Sequence, residues 1–334
     1  MVTLYQVRQS NARLTEATIP RTALFVGGTS GIGRLALIEL ASLGFPIKVY
    51  VVGRKATESA MRPLLDDLQE RNPKAELVWV EGEVSLLAEV RRICDFIKSK
   101  ESNLDFVCLT AGYVPFGGRN NTVEGLEVTH ALEYYGRMLF TLVLLPLLRL
   151  SPSGRVLTVL GGSMLSNDLF LDDLNLEKPG NFGGVRTQTH MNIMNTLFLD
   201  RLAHEPGNES ISFVHNWPGA VNTGNLARYH TRSWRSPVSW TVLVTPLLWL
   251  VGFGEKEAGE RHLYVATSGR FGGKGPMVDG KGAESGARRK GGGGLFLVNN
   301  KCDVSYKEDV LRELRAEARG KVWDKTMEIL GPYL

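Results

Sequence analysis

The stretch ALFVGGTSGIGRLALIEL, residues 23–40, decides how the rest of the chain is read. A short apolar run, Ala23–Gly28, ends at Gly27 and Gly28. Thr29, Ser30, Gly31, Ile32 and Gly33 follow, and an amphipathic pattern then runs from Ile32 to Leu43. Glycines at this turn let the backbone bend tightly and approach a pyrophosphate. The helix that begins there aims its free N–H groups and positive end at the same phosphates. A glycine triplet alone is weak evidence. Here a strand precedes it, a helix follows, and a second apolar run, Ile47–Val52, comes at the expected distance. The reading is a dinucleotide site.

Working outward, the alternation continues. Met61–Arg71 reads as a helix, Glu76–Val80 as a strand, Leu86–Ile97 as a helix and Phe106–Leu109 as a strand. Leu126–Leu150 is a long helix with an apolar C-terminal half. Arg155–Leu160, a helix around Gln188–Ala203 and Ile211–His215 complete the series. Strands and helices at this spacing predict an α/β fold, a Rossmann-type doubly wound parallel sheet with helices on both faces. The expected organisation is an N-terminal segment over residues 1–20, the Rossmann-type domain over 21–268 with a lid at about 225–254, and a C-terminal extension over 269–334 packed on the same domain. Within that extension Leu295–Val298 reads as a late strand and Lys307–Ile329 as one charged amphipathic helix. Gly272–Gly294 reads as a glycine-rich surface loop carrying Lys274, Lys281, Arg288, Arg289 and Lys290, with a phosphate-gripping role for that cluster as the alternative.

Composition excludes several classes of function. A net charge of +4 with acids interleaved among the bases leaves no nucleic-acid footprint. Three cysteines, Cys94, Cys108 and Cys302, lie far apart without metal spacing, which suits a reducing, cytoplasmic setting. The first 20 residues contain Arg8, Arg13 and Glu16 and no apolar run, unlike a secretory signal. Val238–Phe253 is uncharged, but Pro246 interrupts it and it is shorter than the ~20 residues of a membrane span. It reads instead as a buried helix or an apolar substrate cover, so no transmembrane span is expected.

The second strand selects the cofactor. It ends Gly53-Arg54-Lys55, with no acid to accept from a ribose 2′-hydroxyl and two cations suited to a 2′-phosphate. NADP(H) is therefore the expected cofactor. The glycine pattern, Thr110-Ala111-Gly112 after the fourth strand, and Pro218-Gly219-Ala220-Val221-Asn222-Thr223 after the sixth resemble the short-chain dehydrogenases/reductases, from about residue 21 to 268. The tail, including Leu314–Trp323, is similar to a fungal subgroup associated with secondary-metabolite pathways. The resemblance implies that Glu83 and Val84 flank the adenine and that Ala111 and Gly112 lie along the cofactor. It also places Val221 and Thr223 at the nicotinamide carboxamide. Family members pair through their long helices, so a homodimer through Met138–Leu150 is one expectation, and burial of that stretch within one subunit is the other.

The same resemblance implies a tyrosine acid, a lysine four residues later, a serine and an asparagine. The chain has no Tyr-x-x-x-Lys, no tyrosine between Tyr135 and Tyr229, and no lysine between Lys178 and Lys256. Aligned to the family's helix, Gln188 falls at the tyrosine position and Asn192 at the lysine position. Gly161 falls at the serine position and Glu133 at the asparagine position. Removing a general acid typically costs ~10²–10⁴ in rate, so an iminium or polarised enone would suffer less than a ketone. Candidate replacements are Ser163, for which a satisfied loop hydroxyl is the alternative, the phenols of Tyr134 and Tyr135, for which burial in the core is the alternative, and Glu133, for which a salt bridge to Arg137 is the structural alternative. His190 is the nearest histidine. The expected function is an NADPH-dependent reductase of a large hydrophobic substrate. A non-redox cyclase, isomerase or pericyclase on the same scaffold and an inactive cofactor-binding protein are the competing readings.

Overall fold

The computed structural model describes residues 1–115, 117–221, 252–277, 287–288 and 293–334. Eight strands form one sheet in the order β3-β2-β1-β4-β5-β6-β8-β7. They are β1 Thr22–Val26, β2 Ile47–Gly53, β3 Ala75–Glu81, β4 Phe106–Leu109, β5 Arg155–Val159, β6 Ser212–Asn216, β7 Ala287–Arg288 and β8 Gly294–Val298. The first seven in spatial order pair in parallel, and only the two-residue β7 runs antiparallel, against β8. The order reverses between β1 and β4, and the crevice beyond the carboxyl ends of those strands is where ligands bind in open α/β sheets.

Strand residues are buried on both faces, as a sheet covered on each side requires. Leu24, Val26, Tyr50 and Val52 face one core with α4 (Leu87–Lys100), α6 (Gly136–Leu150) and α7 (Gly184–His204). Ala23, Phe25, Val49 and Val51 face the other, with α2 (Gly31–Ala41), α3 (Lys55–Arg71) and α8 (Glu255–Thr267). The expected fold class is the observed one. The apolar helix is continuous from Val128 to Leu150, comprising the short α5 (Val128–His130), a π-turn at Ala131–Tyr135, and α6. It is the one described helix long and apolar enough to cross a membrane, yet 83% of that apolar window is buried inside the protein. Most of Met138–Leu150 is buried within the subunit, with Pro146, Arg149 and Leu150 exposed.

The ends of the chain carry more structure than the sequence reading gave them. Residues 4–12 form α1, whose N-cap Thr3 and Gln6 make a reciprocal capping box. Arg8 and Asn11 tie α1 to Glu260 on α8. The tail is two helices, α9 (Glu308–Glu317) and α10 (Arg319–Leu330), not the single helix expected over 307–329. Buried Ala318 breaks the pattern at φ −112°, ψ −33°. Both helices lie along α7, where Arg315 and Arg319 converge on the enclosed Asp200 and Trp323 stacks on Phe198 at 4.9 Å. Nearly all of the 225–254 lid and of Val238–Phe253, with most of the basic glycine-rich segment, lies outside the described residues.

Candidate functional site

The turn between β1 and α2 is closed by contacts that leave no room for a side chain. Gly27 sits at φ +96°, and a Cβ there would come within 2.6 Å of Ala111 N; at Gly33 it would lie 2.7 Å from Gly27 O. The Thr110 hydroxyl donates to Gly27 O at 3.2 Å, and Thr110 N–H donates to Val26 O at 2.8 Å, locking the turn onto the end of β4. Ser30 is the N-cap of α2 but makes no side-chain capping bond, so the first amides of Gly31, Ile32 and Gly33 stay open to a ligand. A cleft of about 180 Å³ opens here, lined by Thr29, Ser30, Gly31, Arg34 and Glu255 among others.

The remaining expected cofactor residues follow the carboxyl ends of β2, β3, β4 and β6. Arg54, N-cap of α3, and Lys55 are exposed at the end of β2. Glu83 accepts from Ser85 N–H and hydroxyl, holding the β3–α4 turn in which Val84 is half-buried. Ala111 and Gly112 follow β4, half-buried. Beyond β6, Pro218 precedes Gly219 (φ +70°), whose Cβ would strike Asn300, and Val221 pairs with Phe253. Thr223 lies outside the described residues.

The π-turn positions Glu133. Such one-turn widenings shift the helical register and often occur at functional sites. The Glu133 side chain is 1% exposed. One carboxylate oxygen accepts from Tyr113 N–H at 2.7 Å and the other from Gln188 Nε2 at 2.6 Å. Gly112, at φ +154°, makes that approach possible, since a Cβ there would lie 2.5 Å from the carboxyl. Burial pushes the Glu133 carboxyl up to about 7, against the opposing pull of the Arg137 charge and the two hydrogen bonds. The salt bridge weighed as an alternative does not form. Arg137 instead donates to Thr158 Oγ1, Val159 O and Ala111 O, stitching β5 to the loop after β4.

The structure thus brings Gln188 and Glu133 into direct contact, with Asn192 one turn along α7. Asn192 is 8% exposed and its Oδ1 is enclosed without a partner. Its amide occupies the space a Gly161 side chain would take, with Nδ2 2.1 Å from the position of that Cβ. Ser163 is half-buried in the loop after β5. Tyr135 is a correction: fully enclosed, it donates to Asn175 at 2.5 Å, and desolvation holds its phenol well above the usual range. A phenol so placed is a core group, not an acid for a ligand. Tyr134 is likewise enclosed, bonded to Thr326 of α10. His190 is buried, accepts Phe170 N–H at Nε2, and is pushed down to about 4 by burial.

Three contributors escaped the sequence reading. Asn195 donates to Glu133 O at 2.8 Å, fixing the π-turn to α7. His215 accepts Gly161 N–H at 3.3 Å and bonds Thr196 at 2.9 Å, holding the end of β5. The peptide of Tyr113 clamps the carboxylate. Of these only Asn195, one turn past Asn192 on the helix, left a signal in the sequence.

No protein-family model matches the chain. It is similar to Oxidoreductase AN1596 of Emericella nidulans, 36% identical over 99% of this chain and 98% of that one. It is similar also to the short-chain dehydrogenase/reductase SAT2 of Stachybotrys chartarum, 28% identical over 99% and 97%. Among solved structures, the Pseudomonas aeruginosa RhlG/NADP active-site complex superposes with a TM-score of 0.55 at 18% identity, over 77% of this chain and 93% of that one. Fold, glycine turn and full-length relatives agree, and the chain belongs to the short-chain dehydrogenase/reductase family of oxidoreductases.

Proposed function

We propose that the protein is an NADPH-dependent reductase acting on a large hydrophobic molecule of fungal secondary metabolism, with a rebuilt active site. The observation that carries this reading is the closed phosphate turn. Gly27 and Gly33 are packed against backbone, and the uncapped N-terminus of α2 opens on a cleft beside Thr29 and Arg34. These groups suit a dinucleotide pyrophosphate, and exposed Arg54 and Lys55 suit a 2′-phosphate. Bound there, the cofactor would supply hydride, while Ala111, Gly112, Pro218 and Val221 would line its path. Exposed Met164 and Val185 stand beside the loop after β5 and the start of α7, consistent with an apolar ligand.

Glu133, Gln188, Asn192 and Ser163 are the residues proposed to meet the substrate or to orient what does. Their identities also favour a second reading, a cyclase or isomerase that keeps the cofactor as a pocket wall, because the tyrosine and lysine that the family resemblance implies are both missing here. The two separate cleanly. With NADPH and candidate pathway intermediates, a product two mass units heavier with loss of reduced-nicotinamide absorbance is expected. An isomeric product without cofactor consumption would overturn the reductase reading in favour of the second. NADPH affinity without turnover of any kind would leave a binding protein.

A further inference from the structure

Glu133 and Gln188 meet through a hydrogen bond whose direction depends on one proton. Glu133 Oε1 accepts from the Tyr113 backbone N–H at 2.7 Å, and Oε2 accepts from Gln188 Nε2 at 2.6 Å. A backbone N–H can only donate, so a proton taken up by the carboxyl belongs on Oε2, against Gln188. Two hydrogens would then face each other across that contact. The Gln188 amide removes the conflict by turning over: its Oε1 accepts from the Glu133 O–H, and its Nε2 takes the opposite side. The longer contact from Nε2 to Tyr113 O, 3.4 Å, is given up. Gln188 Oε1, whose place the nitrogen takes, accepts no hydrogen bond from the described residues and is not sealed inside the fold.

One turn along the same face of α7, Asn192 stands the other way round. Its Oδ1 is enclosed over Gly161, while its Nδ2 bonds to none of the described residues and stays open. Gln188 lies against Tyr113, after β4, and Asn192 against Gly161, after β5. Both amides therefore stand at the carboxyl ends of neighbouring strands, where open α/β sheets bind ligands.

We propose that Glu133 sets the polarity of this face: with a proton on its carboxyl, Gln188 Nε2 joins Asn192 Nδ2 as a pair of N–H donors for one carbonyl oxygen of the substrate. The chemistry this suits is reduction of an α,β-unsaturated ketone, and it rests on the NADPH-dependent reductase reading above. Hydride adds to the β-carbon, the C=C pair moves between the α-carbon and the carbonyl carbon, and the C=O pair settles on oxygen. The two amide N–H groups hold the enolate so formed. Water then protonates the α-carbon, leaving the saturated ketone, oxidised nicotinamide and hydroxide. A simple ketone would leave a far more basic alkoxide, which neutral amides hold less well. With Glu133 ionised, Gln188 turns Oε1 to the same place and repels the developing charge. Glu133, 1% exposed, acts through Gln188 and is a positioning residue.

Burial pushes the Glu133 carboxyl up to about 7, so both states are reached near neutrality. The charged groups acting on it are Arg137, from α6, and Glu127, just before α5. The loop after β4 brings the Tyr113 backbone N–H, and α7 brings the neutral Gln188 and Asn195.

The test uses the full chain with NADPH and trans-chalcone, a large apolar enone, following reduced-nicotinamide absorbance and product mass from pH 6 to pH 9. NADPH binding is measured at each pH by its fluorescence. The expected kcat/KM is highest at the acid end and falls about tenfold per unit once pH passes 7, because this ratio reports the free enzyme's ionisation. In Glu133→Gln the new amide oxygen is claimed by Tyr113 N–H, which leaves its nitrogen to donate to Gln188 Oε1. Its profile should be flat and should exceed the native value at pH 9 about tenfold or more. Gln188→Met should also be flat, lower than native at pH 6 by roughly 10²-fold for the loss of one oxyanion donor, with the NADPH Kd unchanged. A Glu133→Gln variant that follows the native profile would overturn the proposal. So would one that binds NADPH yet is inactive throughout, since Glu133 would then be the proton donor itself. A native pH profile surviving in Gln188→Met, or no chalcone reduction by protein that binds NADPH, would also overturn it; all four leave the cofactor reading intact. Failure to bind NADPH, or an isomeric product with no cofactor consumed, would remove the reductase reading as well.

Discussion

Two carboxylates, one on helix α7 and one packed against it, are buried in opposite company. Asp200 is fully enclosed and accepts from two guanidinium groups, Arg315 at 2.6 Å and Arg319 at 3.0 Å. Glu133, as deeply enclosed, is held by a backbone amide and a side-chain amide, both neutral, with Arg137 turned away to the sheet. At the first, charge meets charge, which holds the C-terminal helices on the body of the fold. At the second, burial is left largely uncompensated, and the carboxyl is pushed up to about 7. Groups held this way collect where proteins do chemistry or set hydrogen-bond polarity for it.

Breaking the first site should give the largest effect. Replacing Arg315 and Arg319 together by methionine keeps much of the packing and strips Asp200 of its two guanidinium partners. Leaving a buried charge unpaired costs about 3–5 kcal/mol, so the urea midpoint should fall accordingly. The loss should shrink in the triple variant that also carries Asp200→Leu. A double variant as stable as the native chain would show that the tail is held by Trp323 and its apolar neighbours alone.

The second site should respond to pH in the direction its shift dictates. Glu133 has a folded-state value raised from 4.5 to about 7. Its contribution is therefore complete below the unfolded value and is lost as pH rises through 7. The groups that act on it are Arg137, from the same helix, and Glu127, just before α5. A shift of this size corresponds to roughly 3 kcal/mol. Glu133→Gln cannot ionise, so between pH 5 and pH 9 its stability relative to the native chain should swing upward by that amount. Parallel curves for the two proteins would mean that the carboxyl titrates at its ordinary value.

The contrast also marks what the sequence could reveal. The sheet and the phosphate turn were legible because their cause is local: glycines at fixed offsets, apolar runs of strand length, helical periodicity between them. Gln188, Asn192, Gly161 and Glu133 could be placed by alignment of helix and strand. Their contacts could not, because the Glu133 site joins a π-turn, the loop after β4 and α7, some 55 residues apart in the case of Gln188 and Glu133. Periodicity favoured Arg137 as the Glu133 partner, four residues on, and the π-turn defeated it by changing which face each residue occupies. Tyr135, in the same turn, is enclosed in the core, the alternative to its role as an acid. The tail read as one helix because its pattern barely falters at Ala318, whose break serves packing on α7.

A third and smaller effect tests the cofactor end. Arg54 is exposed and caps α3 without a side-chain bond, so its replacement should leave the fold intact. Arg54→Asp is expected to weaken NADPH binding ~10–100-fold, roughly 1.4–2.8 kcal/mol, with NADH affinity nearly unchanged. Equal losses for both nucleotides would point to damage of the turn, and no loss for either would refute the assignment of the 2′-phosphate site.

The smallest expected effect probes how the two amides of α7 are accommodated. Gly161 lacks the serine that the family resemblance would put there, and Asn192 fills the space. Gly161→Ala pushes a methyl group into the Asn192 amide, the mobile end of its side chain, so the penalty should be modest, about 1 kcal/mol. Asn192→Ala removes the obstacle and the enclosed, unpartnered oxygen together. In the double variant the alanine at 161 also narrows the unfolded ensemble, a gain of ~0.4–1 kcal/mol. The pair should therefore be non-additive by about 1 kcal/mol, with the double variant at least as stable as the native chain. Additive losses would mean that Asn192 already moves aside freely, and that the replacement of serine by glycine at this position answers to the ligand and not to packing.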